Sequence, residues 1–290
     1  MNTADMAELV RDNINEASAS TNSDLNILRR LNMAQRKLAI EVAQSSGNWL
    51  VKSADVTPVA SVITLPADCS KPIYLEETTS GQPLSWLDGG VGFRRVSRAV
   101  GTTLTGYGSG EAYPLLATIE VNQPSYVTPC TLWYQIRVPD LHWGYAVAGA
   151  VSSLTFDTSI TAGTTDAGTG RELRLIADYY NGSLVEVIDG TSGIVDIRSE
   201  ISDYASSVAV ITGTPAANDI YGTISRLPEE THMVIVAEAT MLALMKPGAQ
   251  LDKDAFNHYK SWYTDLRKEC SAWLSTRVVG SGHSAVREMY

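Results

Sequence analysis

Cysteine is scarce and badly placed for covalent work. Cys69, Cys130 and Cys270 are odd in number, far apart and free of any C-x-x-C spacing. That pattern argues against a disulfide framework and against a zinc cluster, and leaves reduced, part-buried thiols as the expectation. Histidine is thin as well: His142, His232, His258 and His283 are scattered, and none belongs to an H-E-x-x-H pair. Positive charge is in deficit, with 22 Lys and Arg against 32 Asp and Glu, a net charge of −10. Such a surface repels free nucleic acid and speaks against an ordinary DNA-binding module, though not against a protein past which DNA slides. No apolar run reaches the roughly 18 residues of a membrane span. The opening "MNTADMAELVRDNINEA" is acidic from Asp5 and lacks the apolar centre of a signal peptide.

What is present is a core-forming composition, 44% hydrophobic, arranged with two periods. Met6, Leu9, Val10 and Ile14 predict a first helix. "SASTNS" breaks it, and Ser23 is placed to cap a second helix with Asp24 in its first turn. Leu25, Leu28, Leu31, Leu38 and Val42 line that helix, Arg29, Arg30, Arg36 and Lys37 lie elsewhere on it, and Gly47 is placed to stop it. From about 55 to 140 the period is two: "SVITLP", "KPIYLEE", "LATIEV" and "TLWYQIRV" predict antiparallel strands, with "GTTLTGYGSGEAYP" read as a loop. After "LHWGYAVAGAV" a second β block spans about 152 to 224, carried by "SLTFD", "ELRLIA", "SLVEVI", "IVDIRSEI", "SVAVI" and "DIYGTI". The pattern then returns to helix. "LPEETHMVIVAEATMLALMKPG" is apolar all round and should be central, with Pro228 at its start, Lys246 in its last turn and Pro247-Gly248 ending it. A final helix from Asp252 to Ser275 has Ala255, Tyr259, Trp262, Leu266, Cys270 and Trp273 as its expected buried stripe.

The expected fold class is therefore α+β. A four-helix core is built from the N- and C-terminal helices, with an antiparallel β region and an inserted small β-sandwich or barrel lobe. The expected organisation is 1–151 with 225–276 as the core, 152–224 as a separate lobe, and 277–290 as a flexible docking tail.

No catalytic set assembles. Asp189-Gly190-Thr191 has the wrong order for an aspartic protease loop and no second copy, and "IDGTSGIV" between alternating strands reads as a hairpin. "GSGHSA" does not fit G-x-S-x-G, and "GTTDAGTGRELRL" does not join a strand to a helix. Asp252 and Asp254 are explained by helix capping. No enzyme activity, cofactor or metal is expected.

Several motifs, in order, carry a resemblance. "LNILRRLNMAQRKLAIE" presents Asn32, Gln35 and Leu38, with Trp49 following; "ITLPAD" closes a strand; "TLWYQIRVPDL" ends another, with a slightly shifted Tyr134-to-Pro139 spacing; "LPEETHMVIVAEATMLAL" opens a buried helix. Together they resemble the head-to-tail adaptor (connector) proteins of tailed bacteriophages, over roughly 1–140 and 226–275. The departure is the long segment between Leu141 and Leu227. It is similar to a small β module of phage structural proteins through Tyr180, Gly182, Val185, Val187, Ile201, Tyr204 and Pro215, with the module's Gly-rich hairpin partly kept as Gly190 and Gly193.

The resemblance implies a virion protein of the neck. It would be a ring of twelve copies below the portal protein, joined to a tail or nozzle protein, with genomic DNA passing through without sequence-specific contact and no membrane involved. Arg277, Val278, Val279, His283, Val286, Arg287, Met289 and Tyr290 are the candidate portal-docking residues, and Arg29, Arg30, Arg36 and Lys37 the candidates for charge pairing between subunits. Alternatives are a tail-side or head-completion protein, or a carbohydrate- or receptor-binding module. The last would need Tyr179, Tyr180, Tyr204 and Tyr221 on an exposed face of the lobe.

Overall fold

In the computed structural model, the described residues are 1–15, 23–45, 48–66, 68–86, 111–115, 118–121, 126–157, 176–245 and 253–276. They form a mixed α+β protein with four α-helices and antiparallel sheets, as the two periods imply. The chain divides into two compact units, 50–137 and the remainder.

The unit made of 1–49 and 138–290 holds every helix of the described residues. Helix α1 (Thr3–Asn13) starts at Asn2, whose side chain accepts from the Asp5 N–H, and buries Met6, Ala7 and Val10. Helix α2 (Asp24–Gln44) begins as expected at Ser23, which accepts from the Asn26 N–H, and it buries Leu25, Leu28, Leu31, Leu38 and Val42. A 3-10 turn at Glu229–Thr231 leads into helix α3 (His232–Leu244). Nine of the thirteen residues of α3 are buried because α1, α2 and helix α4 (Lys253–Thr276) all pack on it. The expected stripe of α4 is displaced. Tyr263, Cys270 and Leu274 are its buried line with Leu244-side neighbours, whereas Ala255, Tyr259, Trp262, Leu266 and Trp273 are only half-buried. The spacing allows either line; the hydroxyl of Tyr263 decides it by reaching Glu238 of α3 at 3.1 Å. Gly47, Lys246, Pro247, Gly248 and Asp252, given roles at the helix ends, lie outside the described residues.

The same unit carries two four-stranded sheets. To place them, the strands of both units are numbered in chain order. Those of 50–137 are β1 (Val51–Val56), β2 (Val62–Thr64), β3 (Cys69–Glu77), β4 (Ser85–Trp86), β5 (Glu111–Leu115), β6 (Thr118–Val121) and β7 (Cys130–Ile136). Those of the helical unit are β8 (Trp143–Tyr145), β9 (Ala148–Ala150), β10 (Ser153–Thr155), β11 (Leu184–Ile188), β12 (Val195–Glu200), β13 (Asp203–Ala205), β14 (Val208–Val210) and β15 (Ile220–Ile224). One sheet has the order β12-β11-β15-β8 and the other β13-β14-β10-β9. Val185, Val187 and Tyr221 from the first share a core with Leu154, Tyr204 and Ala209 from the second, so the lobe is a sandwich. It begins earlier than expected, since "WGY" and "AGA" of the supposed spacer form β8 and β9. Most of "ELRLIA" lies outside the described residues.

This sandwich is in the same compact unit as the helices, and the division falls at 50 and 137 rather than around 152–224. The physical reason is at β15. Thr3 Oγ1 donates to the Thr223 carbonyl at 2.5 Å, Asn2 bridges Ile224, and the Asn2 side chain donates to Glu186 at 2.8 Å. Gly222 is required there, because a Cβ would stand 3.0 Å from the Ala4 nitrogen and from the Asn2 side chain.

The second unit, 50–137, pairs a three-stranded sheet, β1-β7-β3, with a four-stranded one, β2-β6-β5-β4. Ile63, Leu75, Ile119, Val121, Leu132 and Tyr134 fill the space between them. All pairings are antiparallel except β4 with β5. Residues 111–115, read from sequence within a loop, form β5.

Candidate functional site

Helix α2 presents its polar residues to a loop that periodicity alone cannot place. Asn32 makes a reciprocal pair with Leu141: its Nδ2 donates to the Leu141 carbonyl at 3.1 Å, and its Oδ1 accepts from the Leu141 N–H at 2.6 Å. One turn on, Gln35 donates to the Pro139 carbonyl at 2.7 Å. Both amides are fully buried, so they satisfy loop backbone that lies beyond the reach of a strand partner. Between them Asp140, 4% exposed, receives both arms of the Arg36 guanidinium at 2.8 and 2.6 Å.

On the neighbouring side, Lys37 donates to Glu238 at 2.7 Å and to the Tyr263 hydroxyl at 3.1 Å. Burial pulls the Lys37 pKa down, but the bonds to Glu238 and Tyr263 outweigh it and hold the pKa above its ordinary value. Arg267 extends the network to Glu41 and Tyr263. The four basic residues offered for pairing between subunits therefore separate. Arg36 and Lys37 are engaged with acids of their own chain; Arg29 is exposed and Arg30 half-buried on the same helix, and neither is free of interactions.

The lobe's tyrosines are core. Tyr180, Tyr204 and Tyr221 are fully buried around Phe156, with Tyr179 packed against them. The Tyr221 hydroxyl accepts from the Asp157 N–H at 2.7 Å and meets His142 Nδ1 at 3.1 Å. His142 is wholly buried, and burial depresses its pKa to about 3, so it is neutral near pH 7. Burial likewise lowers His232, followed by the nearby positive N-terminus. His258 lies exposed on α4, and His283 is outside the described residues.

Asp189 sits at the tip of the β11–β12 hairpin. Its carboxylate accepts from the N–H groups of Thr191 at 2.6 Å and Ser192 at 3.2 Å, and these two backbone bonds lower its pKa. Gly193, at φ +69°, donates to the Asp189 carbonyl and closes the turn. The Asp189 carboxylate thus serves the turn's own backbone through Oδ1, as a hairpin loop requires.

The docking residues named from sequence (Arg277, Val278, Val279, His283, Val286, Arg287, Met289 and Tyr290) all lie outside the described residues. No group of three or more His, Cys, Asp or Glu suited to a metal occurs among the described residues. Sequence reasoning missed Asp140, Glu238 and Tyr263 as partners of the α2 cations. The only local signal was their position in the "VPDL", "VAEAT" and "SWYTD" segments.

No family model matches this chain, and no curated protein does. Among solved structures, the flagellar hook junction protein FlgK from Burkholderia pseudomallei is similar at 10% identity and a TM-score of 0.13. That alignment covers 100% of this chain, which spans 61% of the FlgK chain, and a likeness this weak carries no argument.

Proposed function

We propose that this chain is a structural virion protein: a head-to-tail adaptor that forms a ring below the portal, joins capsid to tail and lines the DNA exit channel. The observation that supports it is how the motif residues behind the resemblance are used. Within the helical unit, Asn32 and Gln35 of the α2 motif bind the backbone of Pro139 and Leu141 of the "VPDL" motif. Within 50–137, the Tyr134 hydroxyl of "TLWYQIRV" donates to Asp68 of "ITLPAD" at 2.8 Å, and the Arg137 N–H to the Asp68 carbonyl. His232 of the "LPEETH" motif bonds through Nε2 to the Leu227 carbonyl at the start of the same motif. Two pairs of motifs distant in sequence thus meet as partners, which is what a shared scaffold requires.

The net charge of −10 suits a channel that must not grip a polyanion. The alternative of a sugar-binding lobe loses most of its aromatic platform, since Tyr180, Tyr204 and Tyr221 are interior and Tyr179 is half-buried.

The test is assembly. Purified chain alone should remain monomeric or weakly associated by sedimentation, and should add a ring to portal particles when the two are mixed and viewed by electron microscopy. A chain that forms stable oligomers alone and ignores portal would sink the reading. Removal of 277–290 should leave folding intact and abolish docking; a truncated chain that still joins portal would end the tail's part in it.

A further inference from the structure

The outward face of the β1-β7-β3 sheet carries an exposed indole among carboxylates, an arrangement that the adaptor reading does not use. Strand β7 alternates, with Cys130, Leu132 and Tyr134 buried and Thr131, Trp133 and Gln135 turned the other way. Register places Trp133 between Ser53 of β1 and Tyr74 of β3, and Thr131 between Asp55 and Glu76. Trp133 is 40% exposed, a large value for a side chain that usually seeks cover.

Its polar surroundings are fixed. Trp133 Nε1 donates to Glu76 Oε1 at 3.2 Å, and Glu76 also hydrogen-bonds Tyr74. Thr131 Oγ1 donates to Asp55 Oδ1 at 3.0 Å. Two carboxylates are therefore held beside an exposed indole with acceptor capacity to spare, since each ionised carboxylate has about four lone-pair sites. The bond to Glu76 also keeps the indole from swinging.

We propose that this face binds neutral oligosaccharides of equatorially substituted pyranoses, the glucose and N-acetylglucosamine type. Such a ring has axial C–H bonds on its flat faces, which the electron-rich face of Trp133 attracts, and hydroxyls around its rim, which Asp55 and Glu76 accept from. The same carboxylates repel uronic acids and other anionic sugars. A protein partner of ordinary type would meet a more apolar patch than one indole and the half-buried Tyr74 set among Ser, Thr, Asp and Glu. The site lies wholly within 50–137 and does not depend on the adaptor reading.

The test is titration of the full chain with cellohexaose, chitohexaose and, as the anionic control, hexagalacturonate. Tryptophan fluorescence and saturation-transfer NMR provide the readouts. At least one neutral hexasaccharide should bind saturably with a dissociation constant of about 1 mM, the strength of a shallow site, and hexagalacturonate should not. Trp133→Ala should weaken binding about tenfold through loss of the ring face, and Glu76→Gln about threefold through loss of a charged acceptor. Both side chains are on the surface, and unchanged circular dichroism establishes that each variant is folded. The proposal is overturned if neither neutral sugar binds, or if binding survives both substitutions. It is also overturned if Trp133→Ala abolishes self-association of a chain that binds no sugar, which would assign the face to a second copy.

Discussion

Between the sheets of the 143–224 lobe sit Phe156, Tyr180, Tyr204, Tyr221 and a ring of aliphatics; between those of 50–137 sit Ile63, Leu75, Ile119, Val121 and Leu132 with two tyrosines. The polar ends of the tyrosines tell the two bodies apart. Tyr221 reaches His142, whose backbone is bonded to Thr223, which in turn accepts from Thr3 of α1. Tyr126 and Tyr134 end on Glu77 and Asp68, both inside 50–137. Through Tyr221 the aromatic core is thereby tied to α1, while the two tyrosines of the mostly aliphatic core bond to acids of 50–137. Read from sequence, the first looked like the detachable piece and the second like part of the helical core. The compact units divide the chain at 50 and 137 instead.

The comparison is open to direct attack. Phe156→Ala should cost about 3–5 kcal/mol, as expected for an aromatic truncated in a packed core. Because the lobe shares a compact unit with the helices, the helical circular dichroism should fall in the same transition. A helical signal that melts at its old temperature would separate the lobe after all. Leu132→Ala should cost about 2–5 kcal/mol, with the loss confined to 50–137; a helix transition that shifts with it would contradict the division at 50 and 137.

Asn32→Ala removes both partners of Leu141 and should lower the denaturant midpoint by the equivalent of about 1–3 kcal/mol. An unchanged midpoint would mean that the clasp contributes nothing. The depressed pKa of His142 gives a pH dependence. Its folded value near 3 lies below the ordinary 6.5, so the unfolded chain takes up the proton first. Stability from this group is therefore complete above pH 6.5 and is lost as pH falls towards 3, with a slope of up to about 1.4 kcal/mol per pH unit. His232 acts in the same direction. Denaturant midpoints between pH 7 and 5 should fall in the native chain and fall less in His142→Phe; equal slopes would remove His142 from the account. Smallest of all, Asp189→Ala should lower the melting temperature slightly by weakening one turn, and leave assembly on portal unchanged. A large loss of assembly would return the hairpin to functional interest.

Much of this was legible. Helices α1 and α2 followed from apolar spacing, Ser23 from its side chain before a periodic run, and the Asp189 turn from its flanking alternation. Strands β8 and β9 were not, because "WGYAVAGA" has no charged residue and shows no apolar-polar period to read. The stripe of α4 was misplaced because aromatic residues stand on two adjoining lines, and only Glu238 on another helix selects between them. The same limit applies to Arg36 and Lys37. Their spacing shows a cationic face, while their acids lie 104 and 201 residues away.

One consequence of the α2 clasp concerns the chain's path. The chain leaves the helical unit after Trp49, whose ring is stacked on Trp273 at 4.4 Å, and returns to it at Pro139, held by Gln35. Both ends of the excursion are moored to that unit's own side chains. The 88-residue span between, 50–137, is therefore entered and left at points that the helical unit's own side chains fix.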